Sequence, residues 1–242
     1  MAVKDQVIML TGGAIRVGRQ VALHLAGLGA HLSFTYLPGE PGPQTQAEVE
    51  ALGVRCLATP LDVRDAAAIR AWVAATKAHF GRIDVLINNA SVITRRPFLE
   101  MTEADWDNSV DVNVKGVFLC SQAVAPTMLA QGGGAIVNVT DLSAMKVWPG
   151  FAHHAVGKAG VIQLTRYMAK ELGPRIRVNA IAPGPILPPD GSSPAETDRA
   201  MAMIIIDRMG TPQDAARLMV FLIENDFLTG GVYHVDGGSA LV

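Results

Sequence analysis

The sequence predicts an α/β fold of the doubly wound class, with a seven-stranded, mainly parallel sheet and helices on both of its faces. Short apolar runs rich in β-branched residues alternate with longer Ala- and Leu-rich segments, which is the pattern of parallel strands joined by crossover helices. A glycine-rich stretch at residues 11–18 directly follows the first apolar run. Half of the 242 residues are hydrophobic, which is enough for one large core. We therefore expect a single domain over residues 1–242.

The composition argues against several classes of protein. Only 17% of the residues are charged and the formal net charge is -2, without a block of like charges, so neither nucleic acid nor a membrane surface is an expected partner. The N-terminus lacks the long apolar region of a signal peptide, and no apolar run is long enough to cross a bilayer. Cys56 and Cys120 are far apart and lack metal-ligand spacing. We expect a cytoplasmic protein with free thiols and no metal site.

The first strand is expected at Val7–Leu10, and an Ala- and Leu-rich helix follows it up to Gly29. Gly12, Gly13 and Gly18 lie between the two. A strand, a glycine-rich turn and a helix N-terminus together form a phosphate site, because glycine lets the backbone approach the anion and the first helical N–H groups face it. The spacing departs from the regular G-x-G-x-x-G pattern, so an ordinary strand–helix turn is an equal alternative for this segment alone.

The second strand, expected at His31–Tyr36, bears on the choice of dinucleotide. An acidic residue that holds a ribose 2′-hydroxyl should follow the glycines by roughly 20 residues. Residues 33–37 contain no acid, and Arg16, Thr35 and Tyr36 are candidates to receive a 2′-phosphate instead. These residues favour NADP(H) over NAD.

Two further strands are expected to end in short polar motifs. Asp62 and Val63 follow the strand at Arg55–Thr59, and Asn88-Asn89-Ala90-Ser91 ends the strand that begins at Val85. In an open α/β sheet, the carboxyl ends of the strands border the ligand crevice. These motifs are therefore candidates to line that crevice.

A long helix is expected to follow Thr102 and Asp105, whose spacing resembles an N-cap signal, and to run towards Gln131. Asn113 and Gly116 lie inside it, although both residue types are poor helix formers. Something other than helix propensity therefore places them there. For Asn113 alone, the alternative is a position on a solvated face.

The stretch from Ala135 to Gly173 carries the best candidates for chemistry. A buried strand, AIVNVT, ends directly before Asp141, and a helix is expected from Ala152 onward. His154 and Lys158 are four residues apart and therefore share one face of that helix. A carboxylate, an imidazole and an ammonium group are thus predicted to converge at the sheet edge. Each of them alone is also compatible with an ordinary surface or first-turn residue.

Two proline-rich segments are expected to form loops. Residues 38–43 form a surface turn, and residues 183–199, with five prolines, form a long loop that begins a candidate substrate lid at about 183–209. The apolar run Met201–Ile206 either lines a substrate pocket or packs against the core or a neighbouring subunit. The remaining strands are expected at Arg177–Ala182 and Val232–Val235, and the last helix at Thr211–Ile223.

Taken together, these motifs resemble the short-chain dehydrogenase/reductase family over essentially the whole chain. The matching residues are Thr11-Gly12 with Val17-Gly18, Asp62-Val63, Asn88-Asn89-Ala90, Asn113 with Gly116, Lys158, Arg177-Val178-Asn179, Pro183-Gly184 and Tyr233-His234-Val235-Asp236-Gly237-Gly238. The resemblance implies a Rossmann-type doubly wound α/β domain, a nicotinamide cofactor, a small-molecule substrate and a homotetramer.

The resemblance also implies the site residues. Catalytic roles fall on Asn113, Asp141, His154 and Lys158. Cofactor-binding roles fall on Gly12, Arg16, Val17, Gly18, Thr35, Tyr36, Asp62, Val63, Asn89, Ala90, Ser91, Lys158, Pro183, Gly184 and Ile186.

Three residues are similar to the pteridine-reductase branch of that family: Arg16 at the middle glycine position, Ser91 after Asn-Asn-Ala, and Asp141 at the position of the catalytic serine. Ile93 argues against a pterin, because it stands where the trypanosomatid enzymes carry the aromatic side chain that stacks on the pterin.

The largest departure from the family is at His154, which stands where the family's Tyr-x-x-x-Lys motif has its tyrosine. The expected activity is hydride transfer between NADP(H) and a carbonyl or imine carbon, with His154 or a bound water handling the proton. The alternative is a catalytically impaired NADP(H)-binding protein that acts as a sensor or scaffold.

Overall fold

Seven strands form one sheet in the computed structural model, which describes residues 2–187 and 193–242. The strands are β1 (Val7–Leu10), β2 (His31–Tyr36), β3 (Cys56–Pro60), β4 (Val85–Asn88), β5 (Gly134–Val139), β6 (Ile176–Pro183) and β7 (Val232–Val235). Their order is β3-β2-β1-β4-β5-β6-β7, and all neighbouring pairs are parallel. The predicted doubly wound α/β fold is confirmed. The winding reverses between β1 and β4, which is where such sheets hold their ligands.

Helices cover both faces of this sheet. They are α1 (Arg16–Gly27), α2 (Gly42–Glu50), α3 (Ala66–Phe80), α4 (Glu103–Val110), α5 (Gly116–Ala130), α6 (Ala152–Leu172), α7 (Pro194–Ala202) and α8 (Pro212–Glu224). Ile8 and Leu10 of β1 pack into the core beneath α1 and α8, whereas Met9 packs into the core beneath α3, α5 and α6. Alternate strand residues point to opposite faces, so a continuous apolar run is what a sheet covered on both sides requires.

The N-cap signal that the sequence indicated at Thr102 is present in the structure. The Thr102 hydroxyl accepts the Asp105 N–H, and the Asp105 carboxylate accepts the Thr102 N–H. The same reciprocal pair starts α8, between Thr211 and Asp214. Each pair satisfies N–H groups that have no partner inside the helix, which fixes where the helix begins.

The single long helix expected from residue 103 to residue 131 is a partial error. Helices α4 and α5 are separated by a π-helical segment, Asp111–Lys115, which has Asn113 at its centre. Such a widened turn commonly occurs at functional sites, because it changes the direction in which one side chain points. In this π-helical segment the side chain of Asn113 is buried and bonds to the segment after β4. Helix propensity alone does not predict such a contact.

The long loop expected at residues 183–199 is also partly wrong. β6 extends to Pro183 and α7 begins at Pro194, so helix occupies the end of the predicted loop. The alanines at 195, 200 and 202 favour that helix. Residues 188–192 of the predicted lid lie outside the described residues.

The apolar run Met201–Ile206 ends α7 and then turns towards the C-terminal segment. The backbone N–H groups of Ile205 and Ile206 both donate to the Gly237 carbonyl oxygen, at 2.9 and 3.1 Å. Met203 contributes to the main cavity, whereas Ile205 and Ile206 remain more than half exposed.

The turn expected at residues 38–43 is shorter than predicted, because α2 begins at Gly42. The Glu40 N–H donates to the Leu37 carbonyl oxygen at 3.0 Å, and Gly39 has a φ of 96°. Proline at the second position and glycine at the third are the residues that a type II turn prefers. None of the helices in the described ranges combines the length and the apolar character that a membrane crossing requires.

Candidate active site

One cavity of about 670 Å³ runs along the carboxyl ends of the strands. Every residue predicted to bind the cofactor lines it: Gly12, Arg16, Val17, Gly18, Thr35, Tyr36, Asp62, Val63, Asn89, Ala90, Ser91, Lys158, Pro183, Gly184 and Ile186. Asp141 and Lys158 of the predicted catalytic set also line it, whereas Asn113 and His154 do not. The described residues include no group of three or more His, Cys, Asp or Glu side chains placed to hold a metal ion.

The glycine-rich turn between β1 and α1 is closely packed. Gly12 has a φ of 65°, and its N–H donates to the Thr35 hydroxyl at 3.1 Å. A Cβ at Gly18 would lie 1.9 Å from the Gly12 carbonyl oxygen. The Asn89 amide donates to the carbonyl oxygens of Thr11 and Gly12, at 3.0 and 3.1 Å. These positions require glycine for a physical reason, namely the positive φ at Gly12 and the close packing at Gly18.

Arg16 begins α1 with a φ of 49°, in the left-handed region that glycine adopts most easily. It stands where the family usually has glycine, so the backbone keeps a glycine-like conformation while the side chain adds a cation. The preceding residue, Ile15, makes no side-chain cap to the helix, and the first turn contains no acid. Ile15 therefore leaves the first N–H groups of α1 without a cap from its own side chain, and such groups can face an anion.

Glu40 is a cavity residue that the sequence argument missed. Its carboxylate accepts the Leu37 N–H at 2.8 Å, and both residues line the cavity beside Tyr36. The signal was present in the Pro38-Gly39 turn, because such a turn folds the residue after it back towards the end of β2. An acid therefore lies at the end of β2, although residues 33–37 contain none.

Arg64 is a second cavity residue that was not predicted. Its guanidinium forms a close ion pair with Asp62, at 2.5 Å, and donates to the Asn108 side chain at 3.0 Å. The Arg64 guanidinium beside Asp62 holds the pKa of that carboxyl below its ordinary value, although partial burial opposes the shift. Asp62 is therefore an anionic acceptor at the side of the cavity that β2 and β3 form.

Asn113 is buried and joins the π-helical segment to the loop after β4. Its Oδ1 accepts the Ser91 hydroxyl at 2.7 Å and the Val92 N–H at 3.1 Å, while its Nδ2 donates to the Val92 carbonyl oxygen at 2.9 Å and to the Ser109 hydroxyl at 3.1 Å. The solvated face considered for Asn113 is excluded, because the residue is only 1% exposed.

The buried His154 pairs with Asp141, which is partly exposed. Nε2 of His154 lies 2.6 Å from Oδ2 of Asp141, and Nδ1 of His154 lies 2.9 Å from the Val92 carbonyl oxygen. Oδ1 of Asp141 accepts the N–H and the hydroxyl of Ser143, at 2.8 and 2.5 Å. The predicted trio thus meets, with a difference: Asp141 faces the cavity and His154 lies behind it.

The acceptors around His154 assign its protons. A carbonyl oxygen only accepts, so Nδ1 carries a hydrogen that it donates to Val92. The Asn113 Nδ2, 3.3 Å from Nδ1, is also a donor, so that approach is a contact rather than a hydrogen bond. One further proton must lie between Nε2 and Oδ2, because two unprotonated atoms would repel each other at 2.6 Å.

The electrostatics of the pair favour an ionised Asp141 carboxylate. Burial alone would raise the pKa of Asp141, but the hydrogen bond from His154 and the charge of Lys158 outweigh it and hold the pKa below its ordinary value. Lys158 is almost fully buried and donates to the Val139 carbonyl oxygen at 3.0 Å. Burial lowers the pKa of Lys158, and the nearby Asp141 carboxylate only partly opposes that shift.

Part of the cavity lining is apolar. Leu142, Trp148 and Leu187 were not singled out as site residues in the sequence, whereas Met203 belongs to the apolar run Met201–Ile206 that was considered as a pocket lining. Ile93 lines the cavity as well. Lys146 also lines the cavity, and its ammonium donates to the Ser239 carbonyl oxygen at 2.8 Å.

Comparison with known proteins places this geometry in context. A family model described as enoyl-(acyl carrier protein) reductase, adh_short_C2, matches residues 13–240. The 3-oxoacyl-(acyl-carrier-protein) reductase FabG of Staphylococcus aureus is 36% identical over 236 residues, which cover 95% of this chain and 96% of that protein. The BbsD subunit of a hydroxy(phenyl)methylsuccinyl-CoA dehydrogenase of Thauera aromatica is 37% identical over 249 residues, covering 100% of this chain and 99% of that one.

Solved structures agree with the sequence relatives. Carveol dehydrogenase from Mycobacterium avium, determined in complex with NAD, superposes with a TM-score of 0.93 at 28% identity and covers 99% of both chains. A short-chain type dehydrogenase/reductase from Mycobacterium ulcerans superposes with a TM-score of 0.94 at 27% identity, over 100% of this chain and 92% of that one.

Proposed function

The chain belongs to the short-chain dehydrogenase/reductase family of oxidoreductases, and on that basis we propose that it transfers a hydride between NADP(H) and a carbonyl or imine carbon of a small molecule. The observation that carries this proposal is the single cavity that joins all the predicted cofactor residues to Asp141 and Lys158. Relatives named as reductases and dehydrogenases support the reaction class.

The residues along the cavity fit a nicotinamide dinucleotide. The close packing of Gly12 and Gly18 keeps the turn tight, so a pyrophosphate could approach its backbone and the start of α1, to which Ile15 gives no side-chain cap. Asp62 and Val63 would border the adenine, and Asn89, Ala90, Pro183, Gly184 and Ile186 would flank the rest of the cofactor. Lys158 would hold the nicotinamide ribose. When bound, the nicotinamide supplies or accepts the hydride.

A preference for NADP(H) is supported by Arg16, whose guanidinium suits a phosphate, together with Thr35 and Tyr36 beside it. Glu40 opposes it, because a carboxylate near a 2′-phosphate is repulsive and an acid at the end of β2 suits a ribose hydroxyl. The carveol dehydrogenase relative was solved with NAD. NADP(H) remains the proposed cofactor, and the charge of Glu40 is expected to weaken its binding.

The proposed proton path differs from the family's. His154 occupies the family's tyrosine position by sequence, but its imidazole is buried and does not reach the cavity. We propose that His154 acts as a positioning residue through Asp141, and that the buried amide of Asn113 fixes Val92, to which His154 also bonds. A water beside Lys158 is then the alternative carrier of the proton.

We further propose that residues 1–242 form a single cytoplasmic domain with a lid at about 183–209. In motif detail, this domain is closest to the pteridine-reductase branch. We also propose a homotetramer. Large apolar side chains on α5 and α6 are exposed in the isolated chain, such as Phe118 at 41% and Val156 at 51%, and a subunit interface would cover them.

The rival proposal is an impaired NADP(H)-binding sensor or scaffold. Only the burial of His154 favours it.

The decisive experiment follows NADPH oxidation across a panel of ketones, aldehydes and imines with the native protein and with His154→Phe and His154→Tyr. A typical acid or base contributes about 10² to 10⁴ in rate, so the native protein should be slow but measurable. His154→Phe should lower kcat and leave NADPH affinity nearly unchanged, because His154 does not line the cavity. Tight NADPH binding without turnover by any of the three proteins would favour the sensor or scaffold.

A further inference from the structure

The cavity beside Asp141 presents acceptors where the family presents hydroxyl donors. Hydroxyls on three of the lining residues are directed into the protein: Ser91 donates to Asn113 Oδ1 at 2.7 Å, Thr140 to the Lys158 carbonyl oxygen at 2.9 Å, and Ser239 to the Asp236 carbonyl oxygen at 2.7 Å. The Trp148 indole can donate a hydrogen bond but does not give up its proton. Among the described residues that line the cavity beside Asp141, the groups able to release a proton are two ammonium groups: that of Lys146, which donates to the Ser239 carbonyl oxygen, and that of Lys158, which is proposed to hold the ribose.

Asp141 is itself an acceptor that is only partly occupied. Ser143 donates twice to Oδ1, and His154 donates once to Oδ2. A carboxylate oxygen has about two acceptor positions, so Oδ2 keeps one for a donor in the cavity. A substrate group that meets Asp141 must therefore bring a hydrogen with it.

A carbonyl substrate fits this arrangement poorly. Hydride addition to a carbonyl leaves an alkoxide, which would lie beside the Asp141 carboxylate and would require a proton. The proton shared with His154 is not readily released, because its loss leaves Oδ2 facing an unprotonated Nε2 at 2.6 Å in a buried site. The ring nitrogens of His154 do not help, since they face Asp141 and the Val92 carbonyl oxygen rather than the cavity.

We propose that the preferred substrate is a protonated C=N compound, an iminium ion with apolar or aromatic substituents, which donates its N–H to Oδ2 of Asp141. This inference rests on the proposed hydride transfer. The iminium carbon accepts the hydride, the π electrons of the C=N bond become the nitrogen lone pair, and the nicotinamide is oxidised as the substrate is reduced to an amine. No proton is taken from the protein, so the absence of a tyrosine at residue 154 ceases to be a defect. Ile93, Leu142, Trp148 and Met203 supply the apolar surroundings.

Binding tests the inference without relying on turnover. Calorimetry on NADP⁺-loaded protein would compare the cation tetrahydroisoquinolinium with the neutral alcohol tetralol, which has a similar shape. We expect the native protein to bind the cation roughly tenfold or more tightly than the alcohol, and Asp141→Asn to lose that preference. The matched control is Asp111→Asn, which removes the same charge at a residue beside Lys115, outside the cavity, and should keep the preference.

Turnover separates this inference from the proposed function. With NADPH, the native protein should reduce dihydroisoquinolinium faster than the ketone tetralone, and Asp141→Ser with His154→Tyr should shift the preference towards tetralone. Equal or faster reduction of tetralone by the native protein would overturn the substrate class and leave the proposed hydride transfer intact. Reduction of neither probe by the native protein, although NADPH binds, would overturn both. The native protein's own selectivity decides the question even where a variant does not fold.

Discussion

Nε2 of His154 lies 2.6 Å from Oδ2 of Asp141, and of these two side chains only that of Asp141 lines the cavity. The two residues differ in role from what a sequence comparison implies. His154, at the family's tyrosine position, supports Asp141, which stands at the family's serine position and lines the cavity. A helix residue four places before a buried lysine therefore orients a carboxylate instead of meeting the substrate. This arrangement determines which variants should affect chemistry and which should affect only packing.

The two ends of α1 offer a matched pair of glycine substitutions. Gly18→Ala places a Cβ 1.9 Å from the Gly12 carbonyl oxygen, so we expect a loss of about 1 to 3 kcal/mol in the free energy of unfolding and weaker NADPH binding. Gly27→Ala meets no atom within 4 Å and should gain up to about 1 kcal/mol, because alanine is the better helix former. Urea denaturation and fluorescence titration with NADPH measure both effects. Equal behaviour of the two variants would mean that the turn repacks freely.

The acid beside β2 is tested by Glu40→Gln, which keeps an acceptor for the Leu37 N–H and removes the charge. We expect NADPH to bind roughly 2- to 10-fold more tightly, since one like charge near a phosphate is worth about 1 kcal/mol in water. NADH affinity should stay the same or fall. Glu50→Gln is the control, because Glu50 bonds to Gln46 and does not line the cavity. A gain for NADH equal to the gain for NADPH would remove Glu40 from the cofactor's ribose.

Most of the fold was accessible from the sequence because its signals are local. The short runs at Val7–Leu10 and His31–Tyr36 predicted their strands with the observed limits, and Thr102 with Asp105 predicted the start of α4. The π-helical segment at Asp111–Lys115 was missed, because it coincides with side-chain bonds from Asn113 to Ser91 and Val92 across the fold. Helix propensity is a property of single residues, so it does not predict a contact across the fold.

The residues of the site likewise fall into those that local sequence patterns predict and those that they do not. The residues that line the cavity through backbone geometry, such as Gly12 and Gly18, follow from the strand–turn–helix pattern. The orientation of His154 does not, because helical spacing fixes the face on which a residue lies but not whether its ring turns to the cavity or to Val92. Glu40 was missed for a related reason: it lies beyond residues 33–37 in the sequence, but the turn at Gly39 folds the chain back.

Lys158 is expected to lower the free energy of unfolding, although it is the residue proposed to hold the nicotinamide ribose. Burial lowers its pKa, so the unfolded chain binds a proton more tightly than the folded protein does. The resulting penalty is complete below the folded pKa and fades as pH rises from there to the ordinary lysine value of about 10.4. Lys158→Met should therefore raise the free energy of unfolding at pH 7 by about 1 kcal/mol or more and weaken NADPH binding. The control is Lys115→Met, at an exposed residue paired with Asp111, which should do neither.

The pair of Asp141 and His154 makes a prediction about acid stability. The pKa of Asp141 is held below its ordinary value, so the folded protein binds that proton less tightly than the unfolded chain. Its contribution to stability is complete above the ordinary carboxyl value of about 3.9 and is lost as pH falls from there through the folded value. The difference in the free energy of unfolding between the native protein and Asp141→Asn should thus be constant near neutrality and shrink in acid.

Urea denaturation of both proteins between roughly pH 3 and pH 7 measures this difference, because contributions from all other acids are common to both and cancel. Asp111→Asn again serves as the control, since its half-exposed ion pair with Lys115 should give a small difference from the native protein that barely changes with pH. His154→Phe removes one donor that lowers the pKa of Asp141 and leaves Lys158 and Ser143 in place, so Asp141→Asn made in that background should show a smaller acid-dependent difference. A difference that stayed constant down to pH 3 in the native background would show that Asp141 is not held as an ionised partner of His154.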